Sequence, residues 1–126
     1  HTFDVIVASN LFGDILSEIA ATVTGSLGLA PSANLNPPRK HPSMFEPVHG
    51  SAPDIAGKGV ANPIGAVLSA EMMVDWLGEP EAARAIRRAV VRLLSDGRAL
   101  TADVGGSAST REVGDEIVRL LRLGGG

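Results

Sequence analysis

One stretch, residues 45–63, FEPVHGSAPDIAGKGVANP, constrains the fold of this chain more than any other. Neither the period of two of a strand nor the 3.6 of a helix runs through its nineteen residues, which predicts a loop throughout. Loops of that length inside a compact domain are uncommon, and they more often bind something than merely connect. Gly50, Gly57 and Gly59 let backbone approach a ligand closely, while Pro47, Pro53 and Pro63 restrict the conformations available. Asp54 is then a carboxylate held in place to accept hydrogen bonds. The same residues also suit an ordered surface turn without a ligand, and on residue chemistry alone both readings stand.

The segment after the loop has helical signals. Asn62 and Pro63 have the order of an N-cap and a first-turn proline, predicting a helix that runs to about Leu77 and stops at Gly78. Ile64, Leu68, Met72 and Trp76 form its apolar stripe, and Glu71 and Asp75 are its only charges, so burial on most sides is expected. Residues 80–95 are more plainly amphipathic, with Ile86, Ala89, Val90 and Leu93 inward. Arg84, Arg87, Arg88 and Arg92 take the solvent face, where Glu81 can pair with Arg84 or Arg88. Residues 101–106 read as a turn, and Ser109 with Glu112 as a capping box for a last helix over 110–123.

Ahead of the loop, residues 3–8 read as a short buried strand, followed by Asn10 as N-cap of a helix over 11–23. Asp14 and Glu18 are four apart, so both carboxylates share one helix face. They suit two solvated acids, or a partial set of oxygen ligands for Mg²⁺ or Mn²⁺. Residues 25–31 predict a second strand closed by proline, and 34–43 a polar loop. A chain that opens directly on a core-type strand, without methionine, is expected to be the continuation of something longer.

Composition narrows the functional classes. A length of 126 residues suits one domain with a core, and 44% hydrophobic with 20% charged residues is globular composition. A net charge of −3 with no basic block argues against nucleic acid and anionic membrane as partners. The lack of cysteine excludes disulfide and thiolate chemistry and fits a cytoplasmic setting.

The central loop closely resembles the dinucleotide-binding loop of the β-decarboxylating dehydrogenases, the isocitrate/isopropylmalate dehydrogenase family. Residues 3–19, FDVIVASNLFGDILSEI, resemble that family's metal-binding strand and helix, and residues 100–110, LTADVGGSAST, its late glycine turn. The resemblance implies an α/β chain: the C-terminal part of that family's fold, not a Rossmann fold. Residues 1–24 would belong to the second, dimerisation domain and 25–126 to the NAD-binding domain. Gly57-Lys58-Gly59 agrees, since it lacks the third glycine of a Rossmann fingerprint and the Ser/Thr of a P-loop.

Carried over position by position, the resemblance implies that Asp14 and Glu18 lie at or near a divalent metal. The family usually has Asp at the second position, so the longer Glu18 could act through water. Glu46 matches an acid near the nicotinamide. His49, Gly50, Ser51 and Ala52 match positions along the adenosine and its phosphates, and Asn62 and Asp103 the adenine side. Asp54-Ile55 implies NAD: an ionised Asp accepts from both ribose hydroxyls but repels the 2′-phosphate of NADP. The activity implied is oxidative decarboxylation of a small 2-hydroxy dicarboxylic acid, in a homodimer. Residues 34–39, NLNPPR, resemble the tartrate/D-malate branch of the family, with isopropylmalate as the alternative. The family's catalytic lysine and tyrosine have no match: there is no tyrosine, and Lys40 and Lys58 lie in loops. No turnover is therefore expected from these residues alone, and a catalytically silent NAD-binding or assembly protein is the other class open.

Overall fold

In the computed structural model, residues 4–23 and 25–124 are described. Helix α1 spans Asn10–Val23. A 3₁₀ turn at Leu27–Leu29 leads to β1, Pro31–Asn34, and β2, Met44–Pro47. Three helices come next: α2, Ile64–Trp76, α3, Pro80–Asp96, and α4, Thr110–Leu123, the last two separated by a 3₁₀ turn at Ala102–Val104. The strands form one antiparallel hairpin in which Ser32 faces Glu46 and Ala33 faces Phe45.

The core lies among the last three helices. Ile64 and Leu68 of α2, Ala89, Val90 and Leu93 of α3, and Val113, Ile117 and Leu120 of α4 form one buried cluster. These are the residues that helical periodicity turns inward, although Ile86 is only half-buried. The helix ends follow local chemistry. Pro80 opens α3, and Gly97 closes it in the left-handed conformation at φ 65°. Ser109 and Glu112 form the reciprocal capping box at the start of α4. The hairpin packs on α2.

Four sequence expectations need correction. Phe3 lies outside the described residues, and 4–9 form no strand; Val5, Ile6 and Val7 are 79%, 69% and 93% exposed. A strand needs a paired neighbour for its backbone groups, and the two-stranded sheet of the described residues is elsewhere. Asn10 is the first residue of α1 rather than its cap, since Gly13 N–H already bonds the carbonyl of Ser9 at 2.8 Å. Residues 25–30 do not extend: the Ser26 hydroxyl accepts from Gly28 N–H and closes the 3₁₀ turn, so the strand begins at Pro31. Finally, the start of the central loop is β2: its backbone pairs with β1, and Phe45 and Pro47 are half-buried in a hairpin that packs on α2 while Met44 and Glu46 stay exposed.

Helix α1 stands apart from the core. Its one buried residue is Ala21, and it meets the rest of the described residues at the 27–29 turn. Leu11, Phe12, Ile15, Leu16 and Ile19 all remain solvent-exposed.

Candidate functional site

Beyond β2, residues 48–63 have no regular structure, and most of the segment is solvent-exposed. Two consecutive turns shape its middle: Ile55 N–H bonds the carbonyl of Ala52, and Lys58 N–H that of Ile55, both at 3.1 Å. Gly57 and Gly59 adopt positive φ, 75° and 66°, where a Cβ is disfavoured. Ala52 does so too, at φ 42°, at a cost of about 1 kcal/mol for a residue carrying a Cβ. The loop's far end is anchored to α4, where Thr110 N–H bonds the carbonyl of Gly59 at 2.8 Å and its hydroxyl that of Ala61 at 2.5 Å.

The sequence candidates fall into three groups. Gly50, Ser51, Ala52 and Asp54 are exposed on the loop, with Ile55 half-buried beside them. His49 Nδ1 lies 3.0 Å from the carbonyl of Gly50, and Glu46 is exposed on β2. Asn62 and Asp103, forty-one residues apart, are in direct contact: Asn62 Nδ2 donates to Asp103 Oδ2 at 3.0 Å. Asn62 is 8% exposed, and its Oδ1 accepts from Ile64 N–H at 3.0 Å; α2 itself starts one residue later than the sequence suggested, with Pro63 at its N-cap.

Asp103 also accepts from two hydroxyls that sequence reasoning did not single out, Ser26 on Oδ2 and Thr101 on Oδ1, each at 2.5 Å. Partial burial pushes the Asp103 carboxyl upward, but the bonds from Ser26, Thr101 and Asn62 outweigh it and hold the pKa below the ordinary aspartate range. No local pattern flags Ser26, because its partner lies 77 positions further along the chain.

Asp14 and Glu18 lie on α1 and are exposed. Asp14 Oδ2 accepts from Asn10 Nδ2 at 3.3 Å. The two carboxylates are hard oxygen donors of the class that Mg²⁺ and Mn²⁺ take. Among the described residues no group of three or more His, Cys, Asp or Glu side chains is placed to hold a metal.

Two clefts among the described residues lie away from these candidates. One, of about 220 Å³, is lined by Leu35, Phe45, Glu71, Met72, Asp75, Trp76 and Arg87. The other, of about 190 Å³, lies between α3 and α4 beside Arg88 and Arg92. The candidate site is thus an open loop surface with a polar anchor. No helix of the described residues is long and apolar enough to cross a membrane.

Comparison with known proteins places this geometry. A profile described as isocitrate/isopropylmalate dehydrogenase matches residues 1–117. The chain belongs to the isocitrate/isopropylmalate dehydrogenase family. Over 122 residues it is 58% identical to a probable tartrate dehydrogenase/decarboxylase of Bacillus subtilis, covering 97% of this chain and 34% of that protein. It is 57% identical over 120 residues to a 3-isopropylmalate dehydrogenase of Caulobacter vibrioides, covering 94% of this chain and 34% of that one. The crystal structure of an isocitrate dehydrogenase from Methylococcus capsulatus superposes with a TM-score of 0.88 at 47% identity, covering 95% of this chain and 35% of that chain. The chain therefore spans about a third of the length of these relatives. Its fold is α/β, the isocitrate dehydrogenase-like arrangement that the loop motifs implied.

Proposed function

We propose that this chain carries the adenosine half of an NAD site and part of a Mg²⁺ or Mn²⁺ site for a 2-hydroxy acid oxidoreductase of its family. The observation that carries it is the contact between Asn62 and Asp103 at the anchored end of the loop bearing Asp54. Two residues matched independently to the adenine side thereby share one place in the fold. Residues 1–24 then belong to the dimerisation domain and 25–126 to the NAD-binding domain of a homodimer, and the setting is cytoplasmic.

In this role exposed Asp54 accepts hydrogen bonds from the adenosine ribose, and the loop carrying His49, Gly50, Ser51, Ala52 and Ile55 lies along the phosphates. Glu46, on β2, stands toward the nicotinamide end. Asp14 and Glu18 provide carboxylate oxygens to a divalent ion whose chemistry is Lewis-acid polarisation of the substrate hydroxyl and carboxylate. Abstracting and returning a proton needs a base and an acid. With no tyrosine, and with Lys40 and Lys58 in loops, these 126 residues do not turn substrate over by themselves. The substrate class is a small 2-hydroxy dicarboxylic acid, with tartrate or D-malate first because of the NLNPPR segment. Isopropylmalate stays close behind, since 57% and 58% identity do not separate the two branches. A silent NAD-binding or assembly protein remains the reading if no longer partner sequence completes the site.

Calorimetric titration of the chain with NAD and NADP tests the cofactor assignment. At a separation of about 4 Å in water, a carboxylate and a doubly charged phosphate repel by roughly 2 kcal/mol. NAD should therefore bind about 30-fold more tightly than NADP, and Asp54→Lys should invert the preference. Equal affinities, unchanged in the variant, would overturn the role given to Asp54.

A further inference from the structure

We propose that Asp103 is a positioning residue: it fixes Asn62 and the start of α2 against the 26–28 turn, and it does not itself meet the nucleotide. The proposal rests on the nucleotide reading above and assigns a role within it.

An ionised carboxylate only accepts hydrogen bonds, and it offers about four lone-pair positions. In Asp103 three of these are taken by the protein's own donors: Ser26 Oγ and Asn62 Nδ2 donate to Oδ2, and Thr101 Oγ1 donates to Oδ1. A ligand donor such as the adenine amino group would be left one position, beside the Thr101 bond on Oδ1.

The donors are themselves committed. Ser26 Oγ also accepts from Gly28 N–H at 3.0 Å, and Asn62 Oδ1 accepts from Ile64 N–H at 3.0 Å. Thr101 is 1% exposed. One hydrogen-bonded path thus runs from the 27–29 turn through Asp103 to the first turn of α2, joining three segments distant in sequence. There is no slack around it. A Cβ built on Gly28 would fall 2.8 Å from Asn62 Cβ and 3.0 Å from Asp103 Oδ2. Another built on Gly65 would fall 2.9 Å from the carbonyl oxygen of Gly28. A side chain at Gly28 or at Gly65 would therefore push the end of the loop away from the 27–29 turn.

The test is Ser26→Ala beside Ser26→Thr and Asp103→Asn, in the full chain, with AMP as probe. Affinity is read by calorimetry, and the Asn62 side-chain amide by ¹⁵N NMR with hydrogen exchange of the Ile64 amide. Ser26→Ala frees an acceptor position on Asp103, so a direct nucleotide contact would be kept or improved. Positioning predicts the opposite: a loss of about tenfold in AMP affinity, the worth of one such hydrogen bond, with a shifted Asn62 signal and faster exchange at Ile64. Ser26→Thr keeps the hydroxyl in an extended backbone that threonine readily adopts, and it should restore both readouts. AMP binding and Asn62 signals unchanged in Ser26→Ala, while Asp103→Asn abolishes binding, would overturn the proposal. If Asp103→Asn does not fold, the two Ser26 variants decide alone. If the unaltered chain binds neither AMP nor NAD, the nucleotide reading falls by itself. The Asn62 and Ile64 signals then judge the anchoring separately, and unmoved signals refute it.

Discussion

Replacing Arg87 with methionine should destabilise the protein out of proportion to its place on a solvent-facing helix surface. Arg87 Nη2 donates to Glu71 Oε2 at 2.6 Å, and the two ends of the pair are unequal: the arginine side chain is 54% exposed, the glutamate 11%. Between two exposed side chains such a pair contributes about 0–1 kcal/mol. Stripping the partner from a fully buried carboxylate costs about 3–5 kcal/mol. Glu71 sits near the buried limit and Arg87 near the open one, so we expect about 2 kcal/mol, the range of a hydrogen bond to a charged group. For a chain of 126 residues that is a fall in Tm of about 7 °C.

The matching control is the double variant Glu71→Leu with Arg87→Met. It removes the buried charge together with its partner and should recover to within about 1 kcal/mol of the parent. Urea unfolding followed by circular dichroism and by fluorescence gives the free energies. Trp76, the only tryptophan, lines the same cleft as Glu71 and Arg87 and reports locally. A loss under about 0.5 kcal/mol for the single variant, or a double variant worse than the single, would refute the view that Glu71 is a buried charge held by Arg87.

Three other outcomes can be checked in the same assay. Ile64→Ala, at 1% exposure in the centre of the three-helix core, should cost about 3 kcal/mol; a loss below about 1 kcal/mol would mean that the α2 contact is not cooperative with α3 and α4. Ser109→Ala removes the hydroxyl that accepts from Glu112 N–H and should cost about 1 kcal/mol, with faster amide exchange confined to the first turn of α4. Because the folded pKa of Asp103 is lowered, its contribution is fully present above the ordinary aspartate pKa near 4 and is lost as pH falls through the folded value. Urea midpoints taken from about pH 6 down to about pH 3 should therefore decline less steeply for Asp103→Asn than for the parent, and parallel slopes would contradict the lowered pKa.

Much of the helical half is legible in the amino-acid order alone. Pro80, Gly97 and the Ser109–Glu112 box mark helix ends through bonds spanning at most four residues, and the apolar stripes of α3 and α4 name the core side chains that face each other. Such signals are legible because cause and effect lie within one helical turn. The candidate loop is legible for a different reason: its glycines, prolines and Asp54 occur together in one stretch with no competing period.

Pairing was left to the tertiary structure. The apolar run at 5–7 has strand composition but, among the described residues, no strand beside it, whereas Pro31–Asn34, with weak strand chemistry, pairs because Met44–Pro47 lies alongside. Glu71 and Arg87 each look like ordinary helix charges until α2 and α3 pack and bring them within 2.6 Å. Ser26, Asn62, Thr101 and Asp103 carry no pattern that links them, and they meet because the 27–29 turn fits against α2 where Gly28 and Gly65 have no side chains. Sequence alone determined the helices, the ends of α3 and α4 and the motifs of the family, all written in neighbouring residues. Only the folded chain decided which strands exist and which polar groups find each other, because a hydrogen bond across 77 positions depends on the packing of everything between.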